Sequence, residues 1–217
     1  PEYMIFEPPE GHLEIAGIKR YARAARIPVR ARIAANQGSE DKSMLLAIDR
    51  EEFSRIAAKG MRDDYSYAPM GEIVNRLAAR PDAVLVERRF FADNVLSIGG
   101  KLVLSSGDFR APGLITYTVA DLFDIFPIVA GSDAPFKSGN FFVANAGYTF
   151  ESLSKELPYD IVAETDPGVS VEKMVQDAQE LGFIVINAYD ARTRLLAEQQ
   201  RPERQGLFGA LTAGFLF

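Results

Sequence analysis

Residues 159–190 have the sequence YDIVAETDPGVSVEKMVQDAQELGFIVINAYD, and the local signals within this stretch agree with one another. Its first seven residues predict a strand. The Asp-Pro-Gly sequence at 166–168 predicts a turn, because Pro fixes φ and Gly permits a positive φ. We expect a helix to begin directly after this turn.

Capping residues mark both ends of that helix. Ser170 is placed at its N-terminus, where a Ser side chain accepts a hydrogen bond from a first-turn amide. Gly182 supplies the left-handed residue that ends many helices. The apolar residues between them lie on one helical face: Val171, Met174, Val175, Ala178 and Leu181. The apolar run at 183–187 predicts a second strand, so residues 159–190 predict a β-α-β unit with a right-handed crossover.

Further strands and helices are predicted along the rest of the chain. Strands are expected at 43–49, 83–88, 95–98, 101–105, 114–119 and 141–146. Helices are expected at 50–59, 70–80, 121–126 and 192–200. Gly99 and Gly100 join two apolar runs, which is typical of a hairpin. Consecutive strands without helices between them predict a mixed sheet of the α/β or α+β class, with a hairpin-rich middle and extended ends.

The composition indicates a soluble globular protein. Of 217 residues, 47% are apolar and 25% are charged, and the net charge is −6. There is no cysteine and a single histidine, His12, which excludes thiolate metal sites and the Ser-His and Cys-His catalytic systems. We expect no cofactor. No leader follows Pro1 and no apolar run reaches about 20 residues, so we expect a cytoplasmic protein or part of an intracellularly assembled particle.

A basic stretch without acids lies near the start of the chain, in residues 15–36. Its six cations are Lys19, Arg20, Arg23, Arg26, Arg30 and Arg32. Apolar residues at helical spacing predict a helix over 15–26, which Pro28 should end. Three interpretations stay open: the basic side lies on the acidic body of its own chain, it contacts an acidic neighbour, or it binds nucleic acid.

The last twelve residues, 206–217, carry no charge and contain three Phe and three Gly. The side chains expected to make contacts are Leu207, Phe208, Leu211, Phe215 and Phe217. Such a segment is expected to be covered, either by its own domain, by a neighbouring subunit or by a membrane interface. The predicted domain plan is an N-terminal arm with a basic helix at 1–36, one mixed α/β domain at 37–200, and a linker with this tail at 201–217.

Three acids follow predicted strands: Asp49, Asp166 and Asp190. If these strands are parallel neighbours, their carboxylates meet at the carboxyl edge of the sheet, where α/β proteins place their sites. Carboxylates there could hold Mg²⁺ and orient a phosphate ester. Asp is also a common turn former and helix cap, which explains Asp49 without a metal.

The leading hypothesis for function rests on the ends of the chain. No catalytic constellation stands out, whereas the arm, the basic stretch and the tail point outward, as in interlocking subunits. We therefore expect a non-catalytic structural or assembly subunit of a larger complex, of viral or secretion-machine type, with itself or other proteins as partners. The alternatives are a divalent-metal enzyme acting on a phosphorylated small molecule, and a nucleic-acid-binding module.

Overall fold

A computed structural model of the chain describes residues 14–32, 42–60, 66–106, 112–126, 140–155, 157–185 and 188. These residues form a mixed α/β structure, which confirms the predicted fold class. The strands are β1 (Ile18–Arg32), β2 (Lys42–Ile48), β3 (Ala83–Glu87), β4 (Lys101–Ser106), β5 (Leu114–Phe123), β6 (Asn140–Asn145) and β7 (Asp160–Thr165). The helices are α1 (Arg50–Gly60), α2 (Met70–Asn75), α3 (Arg88–Asp93), α4 (Ala146–Ser152) and α5 (Val171–Glu180), and a 3-10 turn (Arg76–Ala79) follows α2.

The seven strands form one mixed sheet in the order β2-β6-β3-β5-β4-β1-β7. The pairs β2–β6 and β3–β5 are parallel, whereas β3–β6, β4–β5 and β1–β4 are antiparallel. β1 also pairs with β2 in antiparallel register, so the pairings among β1 to β6 close into a ring. β7 lies outside this ring, beside β1.

The central strands are buried on both faces. In β2, Leu45 and Ala47 belong to one apolar cluster, while Leu46 and Ile48 belong to another. The first cluster also receives side chains of α3 and α4, and the second receives side chains of α1 and α2. Because successive strand residues point to opposite faces, two buried faces require a continuous apolar run, and β2 and β3 both have one.

The chain divides into two compact units. One comprises Lys19–Glu164, and the other comprises Pro1–Ile18 together with Thr165–Phe217. In the second unit the amide of Asp166 donates to the Gly17 carbonyl at 2.8 Å. Gly17 has φ +91°, and a Cβ there would lie 2.9 Å from a methyl of Val169, so both the backbone and the space require Gly.

The predicted helix over 15–26 is wrong, because β1 occupies this stretch as a fifteen-residue strand. Its second half alternates in burial: Ala25, Ile27, Val29 and Ala31 are buried, whereas Arg26 and Arg30 are exposed. Pro28 does not end the element and lies opposite Met44 of β2. The alternation of buried and exposed residues in the second half favours a strand, whereas the apolar spacing of the first half favours a helix. Pairing with β2 and β4 stabilises the strand.

Two predictions in the middle of the chain are also wrong. Residues 95–98 form no strand, so the expected Gly99-Gly100 hairpin is absent, and β4 pairs instead with β5, its antiparallel neighbour. Residues 121–126 form no helix, because β5 continues to Phe123. Pairing with β3 as far as Glu87↔Phe123 extends β5 beyond the expected end.

The stretch 159–190 forms its first strand and its helix as predicted. β7 spans Asp160–Thr165, and the Ser170 side chain accepts a hydrogen bond from the Lys173 amide at 3.2 Å at the start of α5. Residues 183–185 belong to no strand, and 186, 187, 189 and 190 lie outside the described residues, as does the helix expected at 192–200. No described helix has the length and apolar character needed to cross a membrane.

Candidate functional site

An apolar loop projects from the first cluster, between α3 and β4. This loop, residues 94–100, presents Val95 with 90% of its surface exposed and Ile98 with 56% exposed. Between them, Leu96 points inward and packs against the buried apolar cluster. Two branched apolar side chains thus stand in solvent on a segment that is anchored from behind.

Hydrogen bonds hold the loop at both ends. The backbone amide and the side-chain amide of Asn94 both donate to the Phe90 carbonyl, at 3.2 and 2.9 Å. At the other end, the Gly99 amide donates to the Val119 carbonyl at 2.8 Å, and the Val119 amide donates to the Gly100 carbonyl at 2.9 Å. The loop is therefore fastened to α3 on one side and to β5 on the other.

Val95 carries backbone strain. Its φ is +50°, in the left-handed region that Gly and Asn tolerate and that β-branched residues avoid. Such a conformation destabilises the folded state by about 1–3 kcal/mol and persists only where surrounding contacts impose it. The backbone conformation of Val95 therefore lowers the stability of the fold, while its side chain is exposed to solvent.

The charges around the apolar loop are engaged with one another. In α3, Arg89 lies 3.8 Å from Asp93, one turn away. After the loop, Lys101 contacts Asp82 at 3.0 Å. The tip of the loop is therefore apolar, and these charged side chains at its base are paired with each other.

Asp49 lies directly after β2 and before α1, as predicted. Its carboxylate accepts three hydrogen bonds from Arg23: from the backbone amide at 3.0 Å, from Nε at 2.8 Å and from a terminal guanidinium nitrogen at 3.0 Å. The same guanidinium lies 5.9 Å from the centre of the Phe150 ring and 5.6 Å from that of Tyr159. Asp49 therefore joins β1 to the start of α1.

The predicted metal site of Asp49, Asp166 and Asp190 stays a prediction. Asp49 belongs to the unit Lys19–Glu164, Asp166 belongs to the other unit, and Asp190 lies outside the described residues. Within the described residues no group of three His, Cys, Asp or Glu side chains is arranged to hold a metal ion.

The basic residues of β1 contact the chain's own acids. Arg20 lies 3.6 Å from Glu164 and 3.9 Å from Glu52, and Arg26 lies 2.9 Å from Asp160. Lys19 and Arg30 also have partners, and the side chain of Arg32 lies outside the described structure. Of the three interpretations of this stretch, contact with its own acidic body is the one that these ion pairs match.

The tail residues Leu207, Phe208, Leu211, Phe215 and Phe217 lie outside the described residues. Their role in an interface therefore stays a prediction.

Asp82 is a polar centre that the sequence analysis missed. Its carboxylate accepts hydrogen bonds from Arg80 at 2.8 Å, from the Thr118 hydroxyl at 2.7 Å and from Lys101 at 3.0 Å. These donors, Arg80 foremost, hold the pKa of Asp82 well below its usual range. Asp82 comes directly before β3 in a Pro-Asp turn, which gave no sign that Lys101 and Thr118 lie beside it.

A second polar group lies at the carboxyl ends of β3 and β5, which are parallel. Arg88 donates to Asp124 at 2.6 Å and its guanidinium lies 5.5 Å from the centre of the Tyr67 ring. The Tyr67 hydroxyl donates to Asp121 at 2.5 Å, which raises the pKa of Tyr67, whereas Arg88 lowers the pKa of Asp124. Asp121 and Asp124 are thus each bound by a neighbouring side chain.

Comparison with known proteins finds no matching family model and no matching curated protein. Three solved structures share part of the backbone arrangement. The extracellular domain of the noncanonic ABC-type transporter YknZ from Gram-positive bacteria is 11% identical, with a TM-score of 0.45 over 79% of this chain and 76% of its own. A domain described as a putative permease protein from Porphyromonas gingivalis is 15% identical, with a TM-score of 0.46 over 79% and 67%. The periplasmic region of MacB from Actinobacillus actinomycetemcomitans is 8% identical, with a TM-score of 0.44 over 76% and 66%.

These neighbours correct two expectations of the sequence analysis. The predicted cytoplasmic or intracellular-particle location is wrong, because two of the neighbours are extracellular or periplasmic. The predicted viral or secretion-machine assembly subunit is wrong as well, because the neighbours include transporter and permease domains. Protein partners remain compatible with such neighbours. With identities of 8 to 15% and TM-scores below 0.5, the chain is similar to these domains without being assigned to a family.

Proposed function

We propose that this chain is a protein-docking domain and that the apolar loop, residues 94–100, is its contact site. The observation that carries the proposal is Val95, which is 90% exposed and held at φ +50°. Strain in the backbone is kept at sites where a particular geometry is needed for function. Here the strained residue presents an apolar side chain to solvent, which is the chemistry of a contact residue.

The rigidity of the loop supports the same function. A segment that is already ordered loses little conformational entropy on binding, so a small apolar contact gains more affinity. The hydrogen bonds to Phe90 and Val119 order the loop before any partner arrives. The fitting partner surface is an apolar pocket with an uncharged rim, because the charges at the base of the loop are balanced.

A protein pocket fits the loop better than a lipid surface does. Segments that lie in a membrane interface combine aromatic or Leu side chains with free Lys or Arg. The exposed apolar residues here are Val95 and Ile98, and the neighbouring cations Arg89 and Lys101 contact Asp93 and Asp82. Binding is therefore expected to depend little on salt.

The wider context that we propose is a membrane transport complex, with this domain outside the cytoplasm. The context comes from the descriptions of the three similar structures. The docking proposal does not depend on it, because the loop's exposure and strain stand by themselves.

A photo-crosslinking residue placed at position 95 of the full-length protein, in the cells that make it, tests the docking proposal. We expect a discrete adduct with one partner protein. The matched control is position 114, because Leu114 is also apolar and 55% exposed but lies outside the loop. Identical adducts from both positions, or none from position 95, would contradict the proposal.

The purified partner then allows a quantitative test. We expect Val95→Asn to weaken binding at least about tenfold, as for a central interface residue, and Leu114→Asn to change it less than about twofold. Because Asn accepts a positive φ, Val95→Asn keeps the loop folded and removes only its apolar tip. Equal affinity of Val95→Asn and the unaltered chain would place the contact elsewhere.

A further inference from the structure

The edge strand β7 is packed more loosely than the strands inside the ring. It lies at the end of the sheet with β1 as its neighbour. Asp160 is exposed and the other five residues of β7 are half-buried, whereas the first four residues of β3 are fully buried. Elements with few buried side chains open locally at a lower free energy than the rest of a domain.

Contacts from three arginines of β1 join this strand to the ring. Arg26 lies 2.9 Å from Asp160 at the start of β7, and Arg20 lies 3.6 Å from Glu164 near its end. Arg23, which lies between Arg20 and Arg26 in β1, has its guanidinium 5.6 Å from the centre of the ring of Tyr159, the residue before β7. Both charged residues of β7 are therefore paired with β1.

The Arg26–Asp160 pair is open to solvent, with side chains that are 47% and 57% exposed. The Arg20–Glu164 pair is partly covered, because Arg20 is 41% exposed and Glu164 is 20% exposed. Exposed ion pairs are weak and are screened by salt. The ion pairs that attach β7 should consequently weaken with ionic strength, in contrast to the apolar packing of Val162 and of the strands β2, β3 and β6.

We propose that β7 is a releasable strand, and that the edge of β1 beneath it binds an extended acidic segment of another protein. The segment that fits carries two carboxylates four residues apart, as Asp160 and Glu164 do, because Arg26 and Arg20 are placed to meet them. Strand addition to an exposed edge gives affinity through backbone hydrogen bonds, and side chains at alternate positions give specificity. This proposal is independent of the apolar loop.

Hydrogen exchange on the 217-residue chain tests the release of β7. Raising the salt from about 50 mM to about 500 mM should speed exchange of the β7 amides about fivefold, because screening weakens both ion pairs. The β3 amides serve as the internal control and should not change. Protection of β7 equal to that of β3 at both salt concentrations would overturn the proposal.

A peptide with the sequence of residues 157–167 tests the acceptor edge. In a chain carrying Asp160→Ala and Glu164→Ala, the resident strand loses its ion pairs, and the labelled peptide should bind at low salt. A peptide in which Asp160 and Glu164 are replaced by their amides should bind at least about tenfold more weakly. Unchanged β3 protection verifies that the variant is folded.

The peptide-binding assay also gives the results that would contradict the proposal. Equal binding of the acidic and amide peptides would contradict recognition by Arg20 and Arg26. A concentration-dependent dimer of the variant chain that binds neither peptide would also overturn the proposal, because β7 would then exchange between copies.

Discussion

At the scale of single residues, the carboxylates of this chain stabilise its structure. Asp82 holds Arg80, Lys101 and Thr118 at the start of β3, and its side chain is 15% exposed. A carboxylate with three donors is stabilised in its charged form, which is the reason for its lowered pKa.

We expect Asp82→Asn to lower the free energy of unfolding by about 1–2 kcal/mol at pH 7, because hydrogen bonds to a charged group are lost. The folded-state pKa lies below the unfolded value of about 4, so this stability is present above about pH 4 and is lost as the pH falls towards the folded pKa. Urea titrations at pH 7 and at pH 3 measure the difference, which should be smaller at the lower pH.

Asp93→Asn is the matched control for Asp82→Asn. Asp93 is 67% exposed and contacts Arg89 at 3.8 Å, so its replacement should have little effect on stability. A difference for Asp82→Asn that stays constant between the two pH values would contradict the assigned role of the charge.

Asp49 allows a direct comparison between a structural and a metal-binding role. Because its carboxylate pairs with Arg23, Asp49→Asn should lower the free energy of unfolding by about 1–2 kcal/mol. Thermal or urea unfolding with EDTA, and again with millimolar Mg²⁺, should give the same loss. Mg²⁺ that stabilises the unaltered chain and not the variant would contradict the structural role.

At the scale of elements, the strained backbone of the apolar loop lowers the free energy of unfolding. Val95 is β-branched at φ +50°, and Asn occupies this region more readily. We expect Val95→Asn to raise the free energy of unfolding by about 0.5–1 kcal/mol, as other substitutions that relieve local strain do. Chemical denaturation measures the gain.

Leu114→Asn provides the comparison for this gain. Leu114 is exposed at the start of β5 and has no positive φ, so its replacement should bring no increase in stability. A stability gain at position 95 together with lost binding would be the signature of strain retained for function. Lower stability of Val95→Asn would show that the valine packs against its own chain.

At the scale of the whole molecule, the proposed membrane-transport context predicts that the domain lies outside the cytoplasm. The 217 residues contain no cysteine, so Val95→Cys introduces a single exposed thiol. Applied to intact cells that make the full-length protein, a membrane-impermeant maleimide should label position 95 of this variant. Labelling only after the cells are lysed would contradict a location outside the cytoplasm.

The sequence predicted the central elements of the sheet. Apolar runs at β2, β3 and β6 identified strands, because burial on both faces requires consecutive apolar side chains. The starts of α1 and α2 were likewise predicted. So was the capping of α5 by Ser170, because a capping residue acts within one helical turn. These features depend on residues that are close together in the chain.

Only the tertiary structure determined three features: the strand conformation of β1, the position of β7 at the sheet edge, and the conformation of the apolar loop. The first half of β1 has helical spacing, whereas its second half pairs with β2 and β4, whose residues lie distant in sequence. The bonds of Asp49 to Arg23 and of Asp82 to Lys101 also join distant segments. Residues 94–100 contain a hairpin-like Gly-Gly pair, yet their hydrogen bonds to Phe90 and Val119 give a strained loop instead. Local propensities are small compared with long-range pairing and burial, so the sequence by itself determined the buried elements and the fold determined the candidate site.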